Sequence, residues 1–513
     1  MIYIKICYLL SCLVVVYRQF AFLLKIFQQE HYHVRGFLKT FKSYYTKKPL
    51  SYILLIILIL SLFNNAYIYA TCVFIVFLSL FIKEKSIKKL IITNRIKRLF
   101  LSFTILTIIV FSFSIKYPFL FTIYMMLPFI VVFINLINMP VEHLINKRYL
   151  KKAKAKLLQN KDLIKIAVTG SYGKTSTKNI ITNILENKYL TLKTPASFNT
   201  LLGLSKTINT SLNNSYEVAV FEMGASKVGD IKEMAKFIDP DISIITDIGP
   251  QHIETFKSIE NVIKTKFELI DQMKENDVAI LNGDNEHIKS RIINNVNNIY
   301  YYGFNKNSNA FASNIITVNG VTKFDIFYNN QFVTRVETHL LGTHNILNIL
   351  ASFLVFKVLI DKYKFDLNIE EFTKEISNLK QITHRLSYEK RNNIHVYDDS
   401  YNSNIKGFKS SIDVISKIPY KKIIITPGIV DAGSLTKTLN EDISKRIKEV
   451  FDDIYIIDSY SGKYIYNALI SQDNVHLNKT FIDAYNEVIT KYQEEVVLLI
   501  ENDLPDNYLL RRS

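Results

Sequence analysis

Nearly every long apolar run in this 513-residue chain lies before Pro140, and charged, Asn-rich sequence fills the rest. A chain divided in this way does not bury its hydrophobic half and its polar half in one continuous core. We therefore expect a helical membrane region followed by two soluble domains. Apolar stretches near 6–24, 49–63, 66–82, 99–115 and 118–138 each approach the ~20 residues a spanning helix needs, which suggests about five spans within residues 1–140. Arg18 and Gln19 interrupt the first run and no small-residue cleavage site follows it, so it reads as an anchor and not as a cleaved signal peptide. If 49–82 is a re-entrant hairpin, the count falls to about three and the orientation is unchanged.

The formal charge of +17 gathers in loops that flank these runs: Arg35, Lys39, Lys42 and Lys47 in one, Lys85, Lys88, Lys89 and Arg95 in another. Lys and Arg concentrate on the cytoplasmic side of a membrane. Both loops thus face inward, the turns Asn64-Asn65 and Lys116-Tyr117-Pro118 face outward, and everything after Pro140 is cytosolic. This orientation explains the positive charge with membrane lipid as partner and no nucleic acid. Cys7, Cys12 and Cys72 all fall in apolar segments, so there is neither a disulfide framework nor a CxxC metal pattern.

The run Lys165-Ile-Ala-Val-Thr169 is followed by Gly170-Ser171-Tyr172-Gly173-Lys174-Thr175-Ser176 and then by helical spacing of Ile180, Ile184 and Leu185. Strand, glycine loop and helix in that order make an anion cradle. Backbone N–H groups close around phosphate oxygens and the helix N-terminus adds partial positive charge. Lys174 reaches the β- and γ-phosphates of ATP, and the Thr175 hydroxyl suits Mg2+. The spacing GxxGKT is shorter than the usual GxxxxGKT.

TGSYGKTS resembles the phosphate loop of the Mur ligases and their relatives, the folylpolyglutamate synthases. The same order of motifs continues through Asn199-Thr200-x-x-Gly203, Glu222-Met-Gly224, Thr246-Asp-Ile-Gly249-Pro-Gln-His252-Ile-Glu254, Lys266 and Leu281-Asn282-Gly-Asp284. It ends with Leu341-Gly342-Thr-His344-Asn345-Ile-Leu-Asn348, Arg385 and Asp398-Asp399-Ser400-Tyr401-Asn402-Ser-Asn404. The resemblance runs from about Ile164 to about Gly433 and is nearest to the branch that adds D-alanyl-D-alanine to a muramyl tripeptide. It implies an ATP- and Mg2+-dependent amide ligase that activates a carboxylate acceptor as an acyl phosphate and joins it to an amino acid or dipeptide. It also implies a P-loop-type central ATPase domain over 150–382 and a Rossmann-like C-terminal domain over 383–513, in the cytoplasm of a multi-pass protein of a bacterial cell membrane.

Site roles carry over residue by residue. Gly170 to Ser176 hold the nucleotide phosphates, Asn345 faces the adenine, and Arg385 lies on phosphate or ribose. Thr175, Glu222, His252 and Lys266 hold Mg2+. Glu222 ends a β-rich run, where hard oxygen ligands suit the metal; on residue type alone a solvated strand-end Glu is the commoner case, and only the resemblance gives it the metal role. Lys266 matches a lysine that the family carbamylates into an anionic ligand; Lys264 is the alternative if the register slips. Asn345 and His344 open a helix of amphipathic spacing and serve equally as capping groups. Asp399 belongs at the γ-phosphate or the amine, and with Lys174, His252 and Lys266 it completes the catalytic set.

Strands at Ile394–Tyr397, Lys422–Thr426, Asp453–Ile457 and Val496–Ile500 alternate with helical stretches such as Glu441–Phe451, which is the pattern of a small α/β domain. The family's UDP-binding N-terminal domain is replaced by the apolar region, and Glu501, Asp503 and Asp506 stand where a basic turn is expected. Three other readings follow: a polyglutamate-type or lipid-linked-precursor ligase, a nucleotide-regulated scaffold, and an ATP-driven transporter. The spans lack the intramembrane charges that a transporter needs.

Overall fold

The computed structural model describes residues 2–30, 32–47, 90–195, 198–250, 253–318, 320–381, 384–400, 405–430 and 435–502. The expected spans at 49–63 and 66–82, His252, residues 401–404 and 431–433, and Asp503 and Asp506 lie outside the described residues. The chain divides into one unit over Met1–Arg148 and another over Tyr149–Leu504.

The described residues of the first unit form the helices α1 (Ile2–Gln29), α2 (Val34–Lys47), α3 (Asn94–Ser114) and the start of α4 (Leu127–Gln159). Thr93 caps α3 by accepting from Ile96 N. Phe20 stacks on Phe103 with ring centroids 3.7 Å apart, inside a core of Phe27, Leu99, Tyr124 and Val131. The run 118–138 is not one helix: Pro118–Met126 forms a 3-10 segment, and α4 then continues through Pro140. A proline there costs the helix one hydrogen bond, so the change from apolar to charged sequence does not coincide with a helix end.

Among the described residues, Asn94–Ser114, Ile123–Gln159 and Thr343–Asp361 are long and apolar enough to cross a membrane. The third is 72% buried over its apolar window and belongs to the core of the second unit, whereas the first is 28% buried. α3 exposes Leu101, Ile105, Ile108 and Phe113, and α4 exposes Phe129, Phe133, Leu136 and Met139.

The second unit is α/β with two mixed sheets. In the larger, the strands are β1 (Ile164–Thr169), β2 (Thr191–Lys193), β3 (Val218–Glu222), β4 (Ile242–Ile245), β5 (Val278–Asn282), β6 (Asn298–Gly303), β7 (Ala310–Val318), β8 (Val321–Tyr328) and β9 (Gln331–Thr338). Their order is 2-3-1-4-5-6-7-8-9, parallel through β7 and antiparallel beyond it. The central strands are continuous apolar runs because both faces are covered. Ile166, Val168, Val220 and Ile244 pack against α5 (Lys174–Glu186) and α6 (Thr343–Asp361). Ala167, Ala219 and Phe221 pack on the other side against Leu204, Ile208, Ile231 and Met234. α6 is buried nearly all round through its middle turns, which corrects the amphipathic expectation: packed against β5, β6, β7 and α5, it keeps exposed polar groups only toward its ends, where Lys357 pairs with Asp361.

The smaller sheet has the order 10-11-15-12-13-14 over β10 (Ser387–Arg391), β11 (Ile394–Asp399), β12 (Lys421–Thr426), β13 (Asp453–Ile457), β14 (Val475–Asn478) and β15 (Val496–Glu501), with only the β10–β11 pair antiparallel. In the larger sheet the order reverses beside the central strand β1, which pairs with β3 on one side and β4 on the other. Such reversals open a crevice at the carboxyl ends of the strands.

Candidate active site

The loop after β1 occupies that crevice. Val168 pairs with Glu222 on β3 and Thr169 with Ile245 on β4, so residues 170–173 emerge level with the ends of three strands. Thr246 anchors the loop by donating to Thr169 O (3.1 Å) and Tyr172 O. Ser171 Oγ donates to Gly249 O (3.0 Å) and accepts from Gly249 N (3.1 Å). Gly170 has φ +150°, and a Cβ there would lie 2.1 Å from Thr246 Oγ1. Gly173 has φ +81°, and a Cβ there would lie 2.5 Å from Asn348 Oδ1. A side chain in such a conformation costs about 1–3 kcal/mol. Gly170→Ala is therefore expected to lower ATP affinity about tenfold or more, read by calorimetric titration with a non-hydrolysable nucleotide; undiminished affinity would show that this loop geometry is not needed.

Lys174 opens α5 and its Nζ donates to Gly170 O (2.7 Å) and Ser171 O (2.9 Å). Close packing desolvates the ammonium and pulls it down to about 8, against the pull of Glu222 and with the repulsion of Arg385. One turn later, Lys178 is buried against Glu222. Its Nζ lies 3.1 Å from Glu222 Oε2 and 2.8 Å from Thr194 O, with side chains 1% and 3% exposed. Asn199 Nδ2 donates to Glu222 Oε1 (3.2 Å), and Thr194 Oγ1 accepts from Glu222 N. Glu222 is thus a held, buried carboxylate and not a solvated strand end. Lys178 is the residue that sequence reasoning missed. Its signal was a lysine on the helix face that also carries Lys174.

Lys266 lies at the end of the helix Ile259–Phe267, buried, while Lys264 is exposed. Burial and the nearby Lys174 charge bring the Lys266 amine down to about 7. The described residues contain no group of three or more His, Cys, Asp or Glu side chains arranged for a metal. A carboxylate held at both oxygens still has lone pairs to offer, so its bonds to Lys178 and Asn199 leave Glu222 able to take a cation as well.

Asp399, at the end of β11, and Arg385, just ahead of β10, lie in one neighbourhood with His344. The Arg385 charge is felt by Lys174, His344 and Asp399. Asp399 accepts from Leu386 N (3.1 Å) and Ser411 Oγ (2.7 Å), and burial raises its carboxyl above the usual range. Burial lowers His344, whose Nδ1 is 3.3 Å from Ser410 Oγ. Asn345 Nδ2 donates to Leu341 O (2.7 Å), and Asn348 links it to Thr177 on α5. The cavity of about 400 Å³ lined by Val278, Asn298, Tyr300 and Tyr328 lies at the starts of β5 and β6, away from this chemistry.

The family model of the Mur ligase middle domain matches residues 168–356. The UDP-N-acetylmuramoyl-tripeptide–D-alanyl-D-alanine ligase of Buchnera aphidicola subsp. Baizongia pistaciae is 30% identical over 339 residues, 62% of this chain and 70% of that protein. The chain belongs to the Mur ligase family. As a Mur ligase it is an ATP-dependent enzyme that forms carbon–nitrogen bonds. The ligase of the same name from Rickettsia prowazekii is 26% identical over 63% of this chain and 71% of its own length. The fold is that of the MurF ligase of Thermotoga maritima in complex with ADP, at a TM-score of 0.63 and 24% identity over 72% of this chain and 82% of that one.

Proposed function

We propose that this Mur ligase is a multi-pass protein of a bacterial cell membrane with its catalytic part in the cytoplasm. On this reading it joins a peptidoglycan-precursor carboxylate to an amino acid or dipeptide, D-alanyl-D-alanine being the first candidate. The single observation that carries the reading is convergence: Lys174 from the phosphate loop, Glu222 from β3, and Arg385 from the segment just ahead of β10 meet within one electrostatic neighbourhood. Residues 150–382 then act as a P-loop-type ATPase domain and 383–513 as a Rossmann-like domain that presents the amine.

The acceptor carboxylate oxygen attacks the γ-phosphorus, ADP leaves, and an acyl phosphate results. The amine nitrogen then attacks the acyl carbon, and inorganic phosphate leaves with the bonding pair. Residues 170–176 and Arg385 orient the phosphates, and Asn345 meets the adenine. Lys174 offsets charge on the transferred group, a role that demands preorganised position more than covalent chemistry. Asp399, made more basic by burial, takes the amine proton. Mg2+, held by Thr175, Glu222, His252 and carbamylated Lys266, would neutralise phosphate charge.

Lys266→Ala is expected to lower turnover about 100-fold, whereas Lys264→Ala, exposed on the same helix, should stay within about twofold. With 13C-bicarbonate, a carbamate carbon signal should vanish in Lys266→Ala alone; equal losses in both variants would reject the assignment. The function itself is tested with the full chain in lipid nanodiscs, supplied with ATP, UDP-muramyl tripeptide and D-alanyl-D-alanine, or with lipid extracts and single amino acids. Peptide product from the first pair supports the reading. Product only from lipid acceptors would replace it with a lipid-linked-precursor ligase, and none from either would favour the scaffold.

A further inference from the structure

We propose that the charged end of the α3–α4 pair binds anionic phospholipid headgroups, an inference that rests on the membrane reading above. The two helices are tied by polar contacts: Arg98 Nε and Nη2 donate to Glu142 at 2.6 and 2.8 Å, and Asn138 Nδ2 donates to Ser102 Oγ at 2.8 Å. The Arg98–Glu142 pair cancels its own charge. Arg95 is held differently. Its guanidinium lies 3.8 Å from the centroid of the Tyr32 ring and donates to Asn135 Oδ1 at 2.9 Å. A ring and an amide orient the group; Glu142, already paired with Arg98, is the carboxylate whose charge reaches it, and no carboxylate lies within salt-bridge distance of Arg95 among the described residues. Lys97 on α3 and Lys147 and Arg148 on α4 are exposed nearby in sequence at the same end.

The position of this charge selects the occupant. Beyond Arg98, α3 exposes Leu101, Ile105 and Ile108, and before Glu142, α4 exposes Phe133, Leu136 and Ile137. At the far end, residues 115–126 carry Lys116 as their one charge. Uncancelled cations that border an apolar belt at one end lie at headgroup depth. There a negatively charged phosphate ester complements them, while a zwitterionic headgroup brings its own cation. Each basic residue at a membrane surface contributes about 1 kcal/mol, roughly fivefold in binding, toward anionic lipid.

The test uses the full chain in phosphatidylcholine vesicles containing spin-labelled phosphatidylglycerol or spin-labelled phosphatidylcholine, and compares the fraction of each that the protein immobilises. We expect a preference for phosphatidylglycerol of about fivefold or more, falling to near unity in Arg95→Gln/Lys97→Gln/Lys147→Gln/Arg148→Gln, with circular dichroism and ATP turnover retained. No preference in the wild type, or a preference untouched by the substitutions, overturns the proposal. Release of the protein from membranes by alkaline carbonate would overturn the membrane reading itself, a separate result.

Discussion

Lys174→Met is expected to lower ligation turnover about 1,000-fold or more while the protein folds normally. The ammonium sits where the glycine loop, β3 and Arg385 converge, and its present partners are two loop carbonyls. A cation brought into such a place serves an anion, because desolvation makes it costly otherwise. The stability consequence has a definite sign. Burial lowers the folded-state value to about 8, below the ~10.4 of an unfolded lysine. Between these values the unfolded chain binds more protons, so stability rises with pH across that window; at pH 7 the charged lysine is a net cost. Lys174→Met should thus be at least as stable as the wild type at pH 7 and should lose the increase between about pH 8 and 10. Turnover above a tenth of the wild-type rate would show that Lys174 does not serve the transferred phosphate.

Lys178→Met is expected to do the reverse and destabilise the second unit by about 3–5 kcal/mol. That is a large share of the ~5–15 kcal/mol that holds a typical domain together. The substitution leaves Glu222 at 3% side-chain exposure with Asn199 as its remaining side-chain partner among those described. An uncompensated buried carboxylate costs far more than a missing pair of charges does. The double variant Lys178→Met/Glu222→Leu should therefore be more stable than Lys178→Met by about 1 kcal/mol or more. Urea unfolding followed by circular dichroism measures both. A loss below about 1 kcal/mol in the single variant, or no recovery in the double, would show that the pair is not a coupled buried unit.

The parts of the fold legible in the chain were those with strong periodicity. Four strands of the smaller sheet fall where apolar β-branched runs predicted them, within two residues at each end. The antiparallel extension β7–β9 went unread, although Asn329-Asn330, both at positive φ, is the hairpin signal between β8 and β9. Thr200, noticed only as part of a motif, turns out to cap the helix Leu201–Ser211 by accepting from Gly203 N. The helix Thr343–Asp361 shows the opposite limit. Its polar residues suggested a solvent face, but Asn345, Asn348 and Ser352 are buried and bonded to neighbouring groups.

The sequence by itself determined the phosphate loop. A strand, two glycines that tolerate unusual φ, and a helix N-terminus are local features, and their order along the chain is enough to build an anion cradle. It also determined the apolar character of α3 and α4. Only the tertiary structure decided which lysines matter. Lys174, Lys178, Lys264 and Lys266 are the same residue type on two helices, and nothing local separates them. The packing of α5 on β3 buries Lys178 against Glu222, and the seating of the helix Ile259–Phe267 turns Lys266 inward and Lys264 outward. Burial changes a lysine from a solvated charge into a partner or a reactive amine, and burial is a property of the assembled layers.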